Sequence, residues 1–426
     1  MDLRYEVSED LTSVEGWAEI VFSPDSPTCE VVLRAWPNKP TTARTGSSMV
    51  VSTVRVAGRT AEWDDVAAGA SRVAPAGTLI SVPLLDCAEA GEEVHIETDF
   101  ELELGADADE RMGTSTTTDV AWFASAFPML AWERGRGWAR APAVPVDGEM
   151  SVSEDFVLES LEVTAPAEHV VLGTGRAAGT RTEPGGRVVH RFSAPAVRDV
   201  AVSVGDLEVV EQLIGGVRVR VAADRSVRAS EPADWLAVIE ESSRDLVDLL
   251  GTFPYEDLWV TVLSSQTSGI EFPGAIQFGD VDPVERRGLV THELAHMWFY
   301  GLVGNDQGKH PWLDESFATA AQLAADGQDR AHASVADTEL PPVGSPMTVW
   351  TEYANPSSVY YETVYTLGGA ALDEARDRVG HEAFDAALRQ YLQDNAWSVA
   401  TPEDVRAAFS HLPEVLAVLR EVGAVR

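Results

Sequence analysis

The apolar residues of this chain change period once, and that change constrains the fold more than any other feature. Up to about residue 208 they alternate or run in short β-branched blocks. "GWAEIVFSP", "CEVVLRAWP", "MVVSTVRVAG", "TLISVPLL" and "EEVHIETDFELEL" are set apart by Gly, Pro, Asp and Ser clusters. The pattern continues through "FVLESLEVTAP", "HVVLGTG" and "GRVVHRFSAP", with no helical stripe between them. Such segments bury their apolar faces by stacking, so residues 1–208 are expected to form an antiparallel all-β sandwich or saddle. The acidic "GADADERMG" (105–113) lacks regular ligand spacing and reads as a solvated turn rather than a calcium loop.

Past residue 208 the period lengthens. "VRVRVAAD" and "LWVTVLSS" are strands, and "EPADWLAVIEESSRDLVDLLG" between them carries a helical stripe. Beyond residue 283 helices are expected over 284–303, 311–327, 358–379, 381–396 and 401–411. The 426 residues exceed what one core usually serves, so two domains are expected, a β-rich 1–208 and a mostly helical α+β 209–426.

A formal net charge of −38 repels phosphate, which disfavours nucleic acid and anionic membrane as partners. No apolar run reaches the roughly 18 residues of a membrane span. "MDLRYEVSEDL" enters a strand pattern at once, without the basic and apolar regions of a signal peptide. Cys29 and Cys87 belong to no CxxC or CxxH pattern, which leaves two inert thiols or one disulfide. A disulfide favours a secreted or cell-envelope location, with a signal removed, over the cytoplasm.

"THELAHMWFYG" (291–301) carries the chemistry. Residues four apart share a helix face, so His292 and His296 can aim two ring nitrogens at one ion. Glu293, rotated by about 100° from His292, is placed to act as general base on a water rather than as a ligand. Catalytic zinc usually takes three protein ligands. Glu315, nineteen residues after His296 in "HPWLDESFATAAQLAAD", can supply the third from the next helix, which Pro311 opens.

HELAH, eighteen intervening residues and a glutamate inside "WLDESFA" resemble peptidase family M1, the gluzincin zinc aminopeptidases similar to aminopeptidase N. Asp314 and Ser316 stand where that family usually has Asn and Gly. The resemblance implies a β-domain followed by a thermolysin-like catalytic domain, with one Zn²⁺ per chain held by His292, His296 and Glu315. It implies a short form without the helical C-terminal domain of larger members. "SGIEFPGAIQF" (268–278) keeps Gly269 and Glu271 of the family's substrate-binding segment, with Ile270 for Met and Phe272 for Asn. There the glutamate holds the substrate's free α-amine on an edge strand. The family's oxyanion-stabilising tyrosine corresponds to Tyr365 before "TLGG", with Leu367 where Lys is usual and Tyr361 as the rival.

The expected activity is removal of N-terminal residues from peptides with a free N-terminus, with Glu293 and Tyr365 catalytic. A thermolysin-like endopeptidase and a zinc-containing, non-catalytic scaffold are the alternatives. Side-chain preference and oligomeric state have no signature in the sequence.

Overall fold

The segment "VHIETDFELE" becomes the strand Val94–Glu103, and its five even-numbered residues from Val94 to Leu102 are buried, alternating with more exposed neighbours along its length. That strand lies inside an eight-stranded sheet. The order is Arg176–Glu183, Arg187–Val197, Phe156–Pro166, Asp2–Val7, Ser13–Phe22, Val94–Glu103, Ser48–Val56 and Arg59–Thr60. All neighbours are antiparallel except Asp2–Val7 and Phe156–Pro166, which run parallel with Tyr5 opposite Val163. The computed structural model describes residues 1–66, 77–148, 154–327 and 340–426.

Two four-stranded sheets accompany the large one, built around Ala201–Gly205 with Val120–Ala124 and around Thr28–Arg34 with Leu79–Ala88. Tyr5 joins the layers. Its ring meets Phe123 edge-on at 5.0 Å and Phe100 at 6.1 Å, and its hydroxyl donates to the Ala126 carbonyl. Cys29 and Cys87 form a disulfide between the neighbouring strands Thr28–Arg34 and Leu79–Ala88.

A five-stranded sheet follows, in the order Leu207–Ile214, Val217–Asp224, Asp257–Leu263, Ala275–Gly279 and Gly269–Phe272. Its inner strands Asp257–Leu263 and Ala275–Gly279 are buried at every residue and pair in parallel, as unbroken apolar strands do. Gly269–Phe272 is the antiparallel edge.

The chain divides into two compact units. One holds Met1–Ala143, Ser153–Ala233 and Tyr255–Val281; the other holds Val144–Val152, Asp234–Pro254 and Asp282–Arg426. The second unit is helical: Arg287–Ala295, Trp312–Asp326, Pro356–Tyr360, Gly368–Val379, His381–Asp394, Pro402–Ala408 and Pro413–Glu421. At its centre Phe317 stacks with Phe299, Trp312 and Tyr391, with centroids 5.3, 5.8 and 5.5 Å away.

The helix expected over 284–303 stops at Ala295. Beyond it the amides of Gly301, Leu302 and Val303 reach back five residues, to the carbonyls of His296, Met297 and Trp298. Tyr300 takes a positive φ of 89°, and the strand Val303–Asn305 then pairs with Ser398–Ala400. The final helix, Pro413–Glu421, lies beyond the helices expected from the sequence. Among the described residues no helix is long and apolar enough to cross a membrane.

Candidate metal centre

The helices that carry the histidines and Glu315 are tied at one end. Arg287 and Thr291, on Arg287–Ala295, both reach Asp326 at the end of Trp312–Asp326, at 3.4 and 2.9 Å. Ser242 adds a 2.9 Å hydroxyl contact to Thr291. Burial raises the Asp326 carboxyl, against the lowering effect of Thr291 and Arg287.

This arrangement brings His292, His296 and Glu315 together, all buried. The two Nε2 atoms are 3.1 Å apart, and each is 3.3 Å from Glu315 Oε2. Donors about 2.0–2.1 Å from a tetrahedral zinc ion stand roughly 3.3–3.4 Å from one another, so these three atoms outline one face of that polyhedron. The residues fit zinc. His296 Nδ1 lies 3.1 Å from the Phe299 carbonyl, which draws the proton to Nδ1 and turns the Nε2 lone pair toward the other donors. Burial alone would raise the Glu315 carboxyl, but the His296 and His292 rings hold it well below the usual carboxylate range.

Asp314 supports the same turn. Its Oδ1 accepts the Glu315 amide at 2.9 Å and its Oδ2 accepts Gln307 Nε2 at 3.0 Å, a carboxylate at the positive end of the helix dipole. Glu293 follows His292 on the helix and is also buried.

The tyrosines separate sharply. Between Pro356–Tyr360 and Gly368–Val379, residues Tyr361–Leu367 form a π-helical turn, a widening that recurs at functional sites. The Tyr365 ring stacks on His292, with centroids 5.7 Å apart and planes 22° from parallel. Tyr361 is 42% exposed and touches the cluster through the Tyr365 ring, at 4.7 Å.

Residues 284–422 match the family model described as the Peptidase family M1 domain. This part of the chain is a peptidase family M1 domain. Among its relatives, the membrane alanyl aminopeptidase of Heliothis virescens is 29% identical over 156 residues, 32% of this chain and 15% of that protein. The endoplasmic reticulum aminopeptidase 1 of Homo sapiens is 24% identical over 233 residues, 48% and 25% of the two chains. The alignments thus span a quarter or less of these relatives. A crystal structure of an M1 zinc metallopeptidase from Deinococcus radiodurans superposes with a TM-score of 0.71 at 21% identity, covering 100% of this chain and 94% of that one. The M1 fold therefore extends over both units, the β-rich one included.

Gly269 and Glu271 lie in the β-rich unit, on the edge strand Gly269–Phe272. Glu271 is buried and pairs with Arg111, Nη2 to Oε1 at 3.1 Å. Arg111 belongs to 105–113, which corrects the reading of that segment as a solvated turn. Asp107 there is exposed and accepts the Thr116 amide and hydroxyl, but Arg111 and Met112 are buried. Asp109 accepts from Thr267, and the Glu110 carbonyl accepts Gln266 Nε2 at 3.0 Å, so the segment docks beside the strand that bears Glu271. An isolated arginine in an acidic run was the available signal for this pair. Ser316 also gains a partner that its sequence position does not reveal, the carbonyl of Val364.

Proposed function

We propose that this chain is a zinc-dependent metallopeptidase, one zinc ion per chain, that removes N-terminal residues from peptides with a free amine. Residues 209–426 form its catalytic part in this reading. The observation that carries it is the donor triangle of His292, His296 and Glu315, with edges of 3.1, 3.3 and 3.3 Å. When bound, zinc supplies Lewis acidity toward water and the scissile carbonyl. Glu293 takes the attacking water's proton and returns it to the leaving amine. Tyr365 donates its hydroxyl to the carbonyl oxygen as negative charge develops there. The stacking of Tyr365 on His292 supports it over the exposed Tyr361. Glu271, beside Gly269, receives the substrate's α-ammonium, which fixes the chain end relative to the scissile bond. The support for that role is the motif and its edge strand.

A second reading, a thermolysin-like endopeptidase, draws on the Arg111–Glu271 ion pair, because a carboxylate already engaged by a guanidinium offers less to an incoming ammonium. One experiment separates the readings. Zinc-loaded and chelator-treated protein is assayed on aminoacyl-coumarins and on peptides with free or acetylated N-termini. The aminopeptidase reading expects zinc-dependent release of N-terminal residues from free-amine substrates alone. Internal cleavage of both peptide forms favours the endopeptidase, and no cleavage by zinc-loaded protein favours the scaffold.

A further inference from the structure

Ser316 follows the third donor, Glu315, and stands where M1 peptidases usually have glycine. It is fully buried, and its Oγ donates to the Val364 carbonyl at 2.6 Å. The acceptor lies inside the π-helical turn. In an α-helix the Gly368 amide would meet the carbonyl four residues back, that of Val364. Here the Gly368 amide donates to the carbonyls of Thr363 and Tyr365 instead. The Ser316 hydroxyl therefore serves the carbonyl from which the widened turn has moved the Gly368 amide.

The approach that permits this bond depends on glycine. A Cβ at Gly368 would stand 2.1 Å from Ser316 Oγ and 2.9 Å from Ser316 Cβ. One at Gly369 would stand 2.5 Å from Thr319 Cγ2, on the same helix as Ser316. The serine and the glycine pair are complementary, and the peptide that accepts the hydroxyl leads directly into Tyr365, whose ring stacks on His292.

We propose that Ser316 is a positioning residue for Tyr365: its hydroxyl holds the π-helical turn at Val364 in the register that lays the Tyr365 ring against His292. This rests on the reading of Tyr365 as the oxyanion donor. A buried hydroxyl–carbonyl bond of this kind fixes a backbone segment that would otherwise relax toward the α-helical pairing.

Three measurements on zinc-loaded full-length protein test it. In Ser316→Ala, kcat on an aminoacyl-coumarin is expected to fall about tenfold, with KM within about twofold and zinc content unchanged. In a Tyr365→Phe background, Ser316→Ala is expected to change kcat by less than about twofold, because the group it positions is gone. Amide hydrogen exchange over 361–369 is expected to quicken about tenfold in Ser316→Ala, with His381–Asp394 unaffected. An unchanged kcat in Ser316→Ala, or the same fold loss with and without the Tyr365 hydroxyl, overturns the inference. If Tyr365→Phe alone leaves kcat intact, the oxyanion role falls and the positioning role falls with it. If exchange over 361–369 is unchanged while Tyr365→Phe is impaired, the oxyanion role stands and the Ser316 inference alone is lost.

Discussion

Arg111 and Glu271, 160 residues apart, form a buried ion pair whose side chains are 4% and 6% exposed. The guanidinium also reaches the Glu271 carbonyl at 3.4 Å and lies over the Phe272 ring at 4.8 Å. Removing one partner of such a pair strands the other charge, which typically costs about 3–5 kcal/mol. Arg111→Met is expected to lose that much in urea unfolding. Arg111→Met with Glu271→Leu is expected to recover most of it, because no charge remains to be stranded. Equal losses in the single and double variants would mean that packing, not charge, sets the cost.

Glu293→Gln keeps the side chain's shape and removes its basicity. The expected loss in kcat is about 10²–10⁴-fold, with zinc content measured by atomic emission unchanged. Wild-type turnover in this variant would end the general-base assignment.

Tyr365→Phe removes the hydroxyl assigned to the oxyanion, and a fall in kcat of about 10²–10³-fold is expected. Tyr361→Phe is expected to stay within about twofold, because that side chain is exposed and its ring packs on Tyr365 at 4.7 Å, whereas the Tyr365 ring stacks on His292. A reversed order would transfer the role to Tyr361.

Zinc that binds the folded triangle and not the unfolded chain stabilises the fold by mass action, by about 2.7 kcal/mol when free metal is a hundredfold above its dissociation constant. Calorimetry should therefore show a higher Tm with zinc than with chelator. His296→Ala is expected to abolish that difference.

The disulfide closes a sequence separation of 58 residues within the β-rich unit. On chain-entropy grounds a loop of that length corresponds to about 4 kcal/mol of stabilisation. The paired replacement Cys29→Ala and Cys87→Ala is expected to lower unfolding stability by about 2–4 kcal/mol, read from the urea midpoint. Zinc content should be unaffected, because the disulfide and the donors belong to different compact units.

What was legible in the sequence was local. The period-2 run at 94–103 shows which residues face inward, because a strand's faces follow from its own alternation. The spacing of His292 and His296 likewise follows from one helical turn. The illegible features depend on distant partners. Arg111 finds Glu271 only when two segments far apart in sequence dock, so an acidic run looked solvated. The helix stop after Ala295 depends on five-residue backbone closures that no propensity encodes. The π-helical turn at 361–367 depends in the same way on a serine from another helix. The two cysteines left thiol and disulfide equally open, since only strand neighbours settle that.

The parallel pairing of Asp2–Val7 with Phe156–Pro166 has a consequence for how the molecule is made. Asp2–Val7 has one neighbour, Ser13–Phe22, within reach as soon as it leaves the ribosome, while the other emerges some 150 residues later. At roughly 5–20 residues per second, that strand waits for many seconds with an unpaired edge. Until Phe156–Pro166 arrives, one edge of Asp2–Val7 is a row of open backbone donors and acceptors, a template for mispairing that a chaperone on that edge would cover.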